Sequence, residues 1–407
     1  MNILLIHQAF AALDEAGVTR HYEMASYLVR HGHTVTIIAS PVSYLTGQSS
    51  QSKNRWMTRE TPQEGITILR SYTYSAIHRS FIHRVFGFLS FMISSFLIGL
   101  RIGKIDLVWG TTPPIFQGIT AWLLARLKGV PFLFEIRDLW PEFAIAVGVL
   151  KNPVLIKASL WLEKFLDRRA DRIMVNSPGF IQHVTSLGAR RVELIPNGAD
   201  PDMFDPALDG AIFREKHHLE DKFIVLYAGA HGLSNDLEII LQAAQHTYLD
   251  EKIKYVFVGA GKEKTSLMDK AKGLDLNNIL FLPPVAKAEM NQALAAANAC
   301  VAILKPLDWY KTTYPNKVFD YMAAGRPVLL LIDGVIRQVV EEAGAGIYIP
   351  PGDADKLAQA VKYLQENPKV AIKMGLAGRS CIEKKFSRNE LSEKLELVMK
   401  DMENPHA

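Results

Sequence analysis

Polar residues cluster at a corner in the segment "YPNKVFDYMAAGRPVLL", residues 314–330. Pro315 fixes the turn, Asn316 can cap a helix, and Lys317 adds a cation. The N–H groups at a helix start have no partner within the helix and attract phosphate. Those of Asn316 to Val318 therefore predict a phosphate site.

Asp320 lies one turn into the same helix, which is predicted to end at Gly325. A carboxylate at that position can accept hydrogen bonds from ribose hydroxyls. A single aspartate in a first turn is usually only an electrostatic partner of the helix dipole. Both interpretations of Asp320 stay open at this point.

Two further clusters follow apolar strands in the first half of the chain. In the earlier one, a loop with Gly17 leads into a helix that begins near Thr19. This geometry predicts that backbone N–H groups, Arg20 and His21 meet an anionic group. A solvated helix start is the alternative.

The later cluster is "FEIRDLWPEFA", residues 134–144. Charged side chains directly after a buried strand are typical of functional sites. Arg137, Asp138 and Glu142 are therefore predicted to be catalytic or to orient a substrate. A structural ion pair between Arg137 and Asp138 is the alternative.

Several chemistries lack their sequence motif. "VGAGKEK" (258–264) lacks the ending of a P-loop, and Lys264 stands where a dinucleotide motif needs its third glycine. "DPD" (200–202) lies in a predicted linker, and the sequence has no zinc-protease, EF-hand or serine-hydrolase motif. The sequence predicts no cofactor, no metal and no covalent serine intermediate.

Composition indicates a folded protein of two domains, because 407 residues exceed one ordinary core. Two cysteines cannot form a disulfide framework, and the start "MNILLIHQAF" predicts a buried strand, not a signal peptide. A cytoplasmic location is therefore expected.

Residues 1–200 hold 21 Lys/Arg against 14 Asp/Glu, although the whole chain has a net charge of only +4. A basic first half fits a lipid diphosphate or an acidic membrane surface, and no nucleic-acid motif is present.

Apolar strands alternate with helix-length amphipathic segments in two successive series. This pattern predicts an α/β protein with two doubly wound, Rossmann-like parallel sheets whose ligands lie at the carboxyl ends of the strands. The predicted strands are 2–7, 33–39, 106–111, 131–136, 172–177, 192–198, 223–230, 254–261, 278–285, 300–306, 327–333 and 346–350. The predicted domains are residues 1–200, residues 201–385 and a C-terminal helix, 386–407, that returns to the first domain.

Residues 85–100 depart from this pattern because they carry no charge, while basic residues flank them within 79–104. The stretch is short for a membrane span, which needs about 20 apolar residues. Gly87, Ser90 and Ser94 recur at helical spacing and can face the sheet. The prediction is peripheral membrane contact through 79–104, with the cations at headgroup level. A helix buried against the sheet is the alternative.

With these motifs, the sequence resembles glycosyltransferases of family 4, which have the two-domain GT-B fold. The resemblance spans nearly the whole chain in order. It is greatest to the branch that builds bacterial surface polysaccharides, including transferases that add aminosugars to lipid-linked O-antigen intermediates. The matching segments are "GVTRHYEMASYLVRHGHTVT", "RDLWPEFAIAVGVLKN", "LEKFLDRRADRIMVNSPG", "LIPNGADPDMF", "NKVFDYMAAGRPVL" and "EEAGAGIYIPPGD".

The resemblance implies a nucleotide-sugar donor, with UDP as the expected nucleotide, on the second domain. It also implies a lipid-diphosphate-linked or saccharide acceptor on the first domain. The amides of Asn316 to Val318 would hold the diphosphate, and Asp320 would contact the ribose. The other implied binding positions are Gly17, Arg20, His21, Asn197, Gly198, Gly229, Pro284 and Val285.

This chain departs from the family at several positions. The first of two glutamates that the family often carries is Thr312 here, and a usual arginine and lysine are Ala230 and Asn235. Phosphate neutralisation must therefore come from other residues. The candidates are His231, Lys317 and Arg20.

The resemblance implies a retaining transfer by front-face attack, in which the departing phosphate takes the acceptor's proton. Preorganised N–H groups and cations would replace a metal ion in stabilising the charge on that phosphate. The expected sugar is an N-acetylated hexosamine or a deoxy derivative. A sugar-nucleotide epimerase with the GT-B fold and a non-catalytic sugar-binding protein are the alternatives.

Overall fold

The computed structural model describes residues 1–43, 47, 49, 55–75, 81–205 and 207–403. Arg79, one of the predicted flanking cations, lies outside the described residues. The chain divides into two compact units. Unit 1 comprises Met1–Ala11, Val18–Pro196 and Asn389–Ala407, and unit 2 comprises Ala12–Gly17 and Asn197–Arg388.

Unit 1 is built on an eight-stranded sheet. Its strands are β1 (Asn2–Ile6), β2 (Thr34–Ala39), β3 (Met57–Gln63), β4 (Ile66–Ser71), β5 (Leu107–Thr111), β6 (Phe132–Ile136), β7 (Arg172–Val175) and β8 (Val192–Leu194). The order is β3-β4-β2-β1-β5-β6-β7-β8, with β3 antiparallel to β4 and the other pairs parallel. Its helices are α1 (Arg20–Arg30), α2 (Phe81–Arg101), α3 (Phe116–Lys128), α4 (Glu142–Ala146), α5 (Pro153–Arg169) and α6 (Ile181–Leu187).

Unit 2 is built on a six-stranded parallel sheet. Its helices are α7 (Ala211–Lys216), α8 (Glu238–His246), α9 (Lys264–Gly273), α10 (Lys287–Ala296), α11 (Asn316–Ala323), α12 (Val335–Ala343), α13 (Ala354–Glu366) and α14 (Pro368–Lys385). Its strands are β9 (Phe223–Ala228), β10 (Ile253–Val258), β11 (Ile279–Leu282), β12 (Ala299–Ile303), β13 (Val328–Leu331) and β14 (Gly346–Tyr348). The strand order is β11-β10-β9-β12-β13-β14.

All twelve predicted strands are present, so the two-sheet α/β prediction is confirmed. Each central strand is buried along its length, as parallel strands covered by helices on both faces must be. The prediction missed the hairpin of β3 and β4. Most of β3 is exposed and polar, so it has no apolar run that could have marked it.

The C-terminal helix α15 (Arg388–Glu403) continues into unit 1. Glu396 Oε1 lies 3.0 Å from His33 Nε2, and Lys394 Nζ donates to the Leu194 carbonyl oxygen at 2.9 Å. The predicted return of this helix to the first domain is confirmed.

Helix α2 uses its small residues to pack inside unit 1, as predicted. Gly87 and Ser94 are buried, and the Ser94 hydroxyl donates to the Tyr72 carbonyl oxygen at 2.7 Å. A Cβ atom at Gly99 would lie 2.4 Å from a Leu124 methyl group, so glycine at this position allows α2 to pack closely against α3. Among the described helices, His83–Arg101 is the one stretch that could cross a membrane by length and composition, and a third of it is buried in unit 1.

Candidate functional site

The corner at Pro315 starts helix α11 where the sequence predicted it. The backbone of Pro315 is extended, α11 begins at Asn316, and Gly325 follows it with a φ of 67°. The Val318 N–H donates back to the Pro315 carbonyl oxygen at 3.1 Å. The N–H groups of Asn316 and Lys317 remain at the helix start, where the helix itself offers no acceptor.

The prediction that Asn316 caps this helix is wrong. Asn316 is the first helical residue, and its Nδ2 donates to Asp320 Oδ2 at 3.2 Å. Proline has no side-chain acceptor, so α11 has no side-chain cap. The first N–H groups are therefore left for an external acceptor.

Lys317 places a partly buried cation at the same helix start. Its Nζ lies 2.8 Å from the Tyr227 hydroxyl and 4.0 Å from the centre of that ring. The Tyr227 hydroxyl donates to the Ala230 carbonyl oxygen at 2.7 Å. Burial lowers the pKa of Lys317 to about 7, and among the described residues no carboxylate pairs with it. A cation without a counter-ion is suited to an anionic ligand.

Two glycine-containing loops meet at the carboxyl ends of β9 and β10, close to Lys317. A Cβ at Gly229 would lie 2.9 Å from Lys317 Nζ, and a Cβ at Gly259 would lie 1.9 Å from the Gly229 carbonyl oxygen. Gly229, Gly259 and Gly261 all have positive φ angles. The loops therefore pack backbone against backbone, which only glycine allows at these positions.

His231 lies in the first of these loops and is completely buried. Its N–H donates to the Ala260 carbonyl oxygen at 2.8 Å, which joins the two loops. Burial, and then Lys264 and Lys317, lower the pKa of His231 to about 4. Within the part of the chain that the structure describes, neither ring nitrogen has a hydrogen-bond partner. His231 is uncharged at neutral pH, so the prediction of a phosphate-neutralising cation does not suit its surroundings.

Asp320 forms an ion pair inside unit 2. Lys287 Nζ, at the start of α10, donates to Asp320 Oδ1 at 2.7 Å. The other oxygen, Oδ2, accepts from Asn316. Asp320 is therefore more than a partner of the helix dipole, and Lys287 is a neighbour that the sequence did not indicate.

The remaining predicted positions of unit 2 frame this site to different degrees. Asn197 Nδ2 donates to the Tyr314 carbonyl oxygen at 2.7 Å and so supports the corner, while the Gly198 carbonyl oxygen accepts from Arg388. Pro284 and Val285 lie in the loop between β11 and α10, next to Lys287. Gly17 is exposed, in the segment Ala12–Gly17.

In unit 1, Glu135 is a buried centre that sequence reasoning missed. Its carboxylate accepts from Arg20 Nε at 3.1 Å and Trp109 Nε1 at 3.2 Å, and lies 2.6 Å from His21 Nε2. Burial alone would raise the pKa of Glu135, but His21 and Arg20 hold it well below its usual value. One sequence feature could have indicated this centre, because Glu135 is an acid inside the apolar strand "FLFEI".

This arrangement corrects the prediction for Arg20 and His21. Arg20 is 1% exposed, and its other nitrogens donate to the carbonyl oxygens of Pro196 at 2.7 Å and Ile195 at 2.8 Å. His21 is buried against Glu135. Both side chains hold the end of the sheet together, and neither presents a free charge to an anion in this structure.

The predicted pair of Arg137 and Asp138 is not a direct ion pair. Arg137 Nη1 lies 2.8 Å from His7 Nε2, at the end of β1. Burial lowers the pKa of His7, so its neutral ring accepts this hydrogen bond. Burial raises the pKa of Asp138 to about 6, and Arg137 opposes that rise. Asp138, at the carboxyl end of β6, therefore has a pKa close to neutral pH, which suits a group that exchanges a proton.

Glu142 belongs to a third cluster, formed with two helices that the sequence did not connect to it. His183 Nε2 lies 2.9 Å from Glu163 Oε1 and 3.8 Å from Glu142 Oε1. Asp167 lies one turn beyond Glu163, and burial, Glu163 and Glu142 raise its pKa well above the usual value. One ligand atom each of Glu142, Glu163 and His183 fall within 4.8 Å of one another, which is the spacing of a possible metal site.

Both halves of the chain match models of known protein families. The family model "Glycosyl transferase 4-like domain" matches residues 16–198, and "Glycosyl transferases group 1" matches residues 222–367. The putative colanic acid biosynthesis glycosyl transferase WcaI of Escherichia coli is 24% identical over 361 residues, which cover 85% of this chain and 88% of WcaI.

Solved structures share the fold over nearly the whole chain. Sucrose-phosphate synthase from Thermosynechococcus elongatus aligns with a TM-score of 0.77 and 18% identity over 98% of both chains. Anabaena HepE, solved with UDP and glucose, aligns with a TM-score of 0.74 and 15% identity over 98% of this chain and all of HepE. With its two parallel sheets and the matches to both halves, the chain belongs to family 4 of the glycosyltransferases and has the GT-B fold.

Proposed function

We propose that this enzyme transfers a sugar from a UDP-sugar to a lipid-linked or saccharide acceptor in the synthesis of a bacterial surface polysaccharide. The sugar is an N-acetylated hexosamine or a deoxy derivative, and its anomeric configuration is retained. WcaI is named for colanic acid biosynthesis, and HepE is solved with UDP and glucose, which supports this class of donor and pathway. The observation that carries the proposal is the partly buried Lys317 ammonium, without a carboxylate partner among the described residues, at the uncapped start of α11.

The diphosphate of the donor binds at this helix start. The N–H groups of Asn316 and Lys317 donate hydrogen bonds to its oxygens, and the Lys317 ammonium supplies the charge-assisted contact. His231, which is neutral and buried, joins the two glycine-containing loops beside this site through its backbone N–H. Asp320 accepts from the ribose hydroxyls, and the base lies along the loop of Pro284 and Val285.

In the transfer step, the bond between the anomeric carbon and the β-phosphate oxygen breaks, and its electron pair stays on that oxygen. The acceptor oxygen bonds to the anomeric carbon from the same face, and its proton passes to the departing phosphate. The fixed N–H groups and Lys317 stabilise the charge where it develops, which is why no metal ion is needed at the diphosphate. In unit 1, Asp138 and Arg137 orient the acceptor.

The acceptor is presented at the cytoplasmic face of the membrane, which unit 1 contacts through residues 79–104. Phe86, Ile93, Leu97 and Leu100 form one stripe along α2, and Phe86 and Ile93 are 56% and 55% exposed. A cavity of about 450 Å³ elsewhere in unit 1 is lined by several arginines. They are Arg126, Arg168, Arg169, Arg190 and Arg191. An exposed apolar stripe on a basic unit fits an interfacial helix over anionic headgroups.

Release of UDP from UDP-N-acetylhexosamines tests the proposal, measured with and without a lipid-diphosphate acceptor. We expect UDP to appear only when the acceptor is present. A new epimeric UDP-sugar formed without acceptor would instead support the epimerase alternative. A thermal-shift panel of nucleoside diphosphates tests the base, because a ligand that binds only the native state raises the Tm. A larger shift with a nucleotide other than UDP would contradict the donor assignment.

A further inference from the structure

The cluster of Glu142, Glu163 and His183 leaves buried polar atoms that the protein does not satisfy. Glu142 Oε2, Glu163 Oε2 and both oxygens of Asp167 are inaccessible to solvent and have no hydrogen-bond partner among the described residues. Asp167 itself is 0% exposed. Buried carboxylates are normally hydrogen-bonded, paired or bound to a metal, so these oxygens require a ligand.

Hydrogen bonds within the protein do not satisfy this cluster. Neither oxygen of Asp167 has a hydrogen-bond partner in the described part of unit 1. His183 is already engaged, with Nε2 at 2.9 Å from Glu163 and 3.8 Å from Glu142. The Nε2 atom of His183 can donate one hydrogen bond, so it cannot satisfy all three carboxyl groups.

We propose that Glu142, Glu163 and His183 bind a divalent transition-metal ion of the Zn²⁺ or Mn²⁺ type, with Asp167 as a further ligand or as the acceptor of a metal-bound water. Ligand atoms at about 2.1 Å from a tetrahedral ion lie about 3.4 Å apart. The observed separations of 2.9 and 3.8 Å bracket that value. An imidazole combined with carboxylates, without a thiolate, is typical of these ions.

The four residues come from three elements of unit 1. Glu142 begins α4, Glu163 and Asp167 lie one turn apart on α5, and His183 lies on α6. The side chains of Glu142 and His183 are 11% and 14% exposed, so an ion can enter from that side. The ion therefore fastens α4 to α5 and α6 and fixes the segment that follows β6. This role is structural and independent of the proposed donor site, whose residues all lie in unit 2.

The ion is detected directly in the full chain after it has been stripped with a chelator. Titration with Mn²⁺, followed by the loss of the free-ion EPR signal, is expected to show one bound ion per chain. Zn²⁺ is expected to displace it and to raise the Tm by at least about 2 °C. Absence of bound ion at millimolar Mn²⁺, together with no Tm change with Zn²⁺, would overturn the proposal.

Two variants locate the ion. Glu163→Gln and His183→Gln are each expected to lower the affinity for the metal ion at least tenfold. His246→Gln is the control, because it removes an exposed histidine that lies 3.4 Å from Asp355, and it is expected to bind the ion as the wild type does. Equal loss in His246→Gln would place the ion elsewhere.

Because a cluster variant can fail to fold, the visible spectrum of Co²⁺-loaded wild type provides a second measurement. A spectrum of fully hydrated Co²⁺ would contradict histidine ligation. The thermal shift caused by UDP is expected in the stripped protein as well, so failure of either proposal leaves the other intact.

Discussion

Lys287 Nζ lies 2.7 Å from Asp320 Oδ1, so the acid predicted to bind ribose already pairs with a lysine of the preceding helix, α10. The two side chains are 8% and 16% exposed. A ribose hydroxyl that binds Asp320 must therefore either share the carboxylate with Lys287 or displace the lysine from it. The pair therefore sets both the stability of α10 against α11 and the position of the carboxylate.

Asp320→Asn is expected to raise the donor KM about tenfold, since a hydrogen bond to a charged group contributes about 1.5–3 kcal/mol. It is also expected to lower the free energy of unfolding by about 1–3 kcal/mol, because removal of one partner leaves Lys287 buried and unpaired. Steady-state kinetics and urea unfolding measure the two effects. In the double variant Asp320→Asn/Lys287→Met the stability is expected to return while the KM stays high. A double variant with normal KM would show that Asp320 does not contact the donor.

Lys317→Ala is expected to lower kcat/KM for the UDP-sugar by at least about tenfold through loss of a charge-assisted phosphate contact. Lys311→Ala serves as the control, because Lys311 is a half-exposed lysine paired with Asp308. Initial rates with saturating acceptor provide the comparison. Wild-type kinetics in Lys317→Ala would remove this lysine from the site.

The pKa of Lys317 predicts how donor affinity depends on pH. Burial lowers this pKa to about 7, so the ammonium is charged below pH 7 and neutral above it. Affinity for a UDP-sugar, whose diphosphate does not titrate in this range, is expected to fall as pH rises through about 7. The same titration in Lys317→Met is expected to be flat. An affinity that is independent of pH in the wild type would contradict the assignment.

Stability is expected to change with pH in the opposite direction. The unfolded chain keeps the Lys317 proton up to the ordinary value of 10.5, while the folded chain loses it near 7. Between these values the unfolded state binds more protons, so the free energy of unfolding rises with pH relative to that of Lys317→Met. Urea unfolding of the two proteins at pH 6, 8 and 10 measures this difference. A constant difference would show that the lysine is not desolvated.

Glu135→Gln is expected to lower the free energy of unfolding by about 3–5 kcal/mol, because Arg20 and His21 lose their buried partner. The low pKa of Glu135 means that its contribution is present at neutral pH and is lost only as pH falls far below the usual range for a glutamate. Glu193→Gln, at a half-buried acid, is the control for urea unfolding. Arg20→Lys is expected to destabilise unit 1 while the folded protein keeps its donor affinity. A donor defect without a stability defect would restore the anion-binding role of Arg20.

Replacement of Phe86 and Ile93 by serine tests membrane contact. Both side chains are exposed on α2, so the Tm is expected to change little while binding to vesicles of anionic lipid falls at least about tenfold. Sedimentation with vesicles at low salt measures the binding. Leu127→Ser and Leu249→Ser, at exposed leucines outside α2, are controls for loss of surface hydrophobicity. Equal sedimentation of the α2 variant and the wild type would remove this stripe from the membrane contact.

The sequence by itself determined the two-sheet fold and the corner at Pro315. Buried parallel strands appear as continuous apolar runs, and helix starts depend on residues that are neighbours in the chain, so both can be predicted locally. The position of Lys317 beside the helix start followed from the same local pattern.

Only the tertiary structure decided which charged residue meets which partner. Arg20 pairs with Glu135, which lies 115 residues away in the sequence, and Lys287 pairs with Asp320, which lies 33 residues away. These pairings depend on the order of strands in a sheet and on the packing of helices over it, which no local pattern records. For the same reason the sequence presented Arg20 as a free cation and grouped Glu142 with Arg137 and Asp138. The fold buried the first against a carboxylate and gathered the second into a cluster with His183.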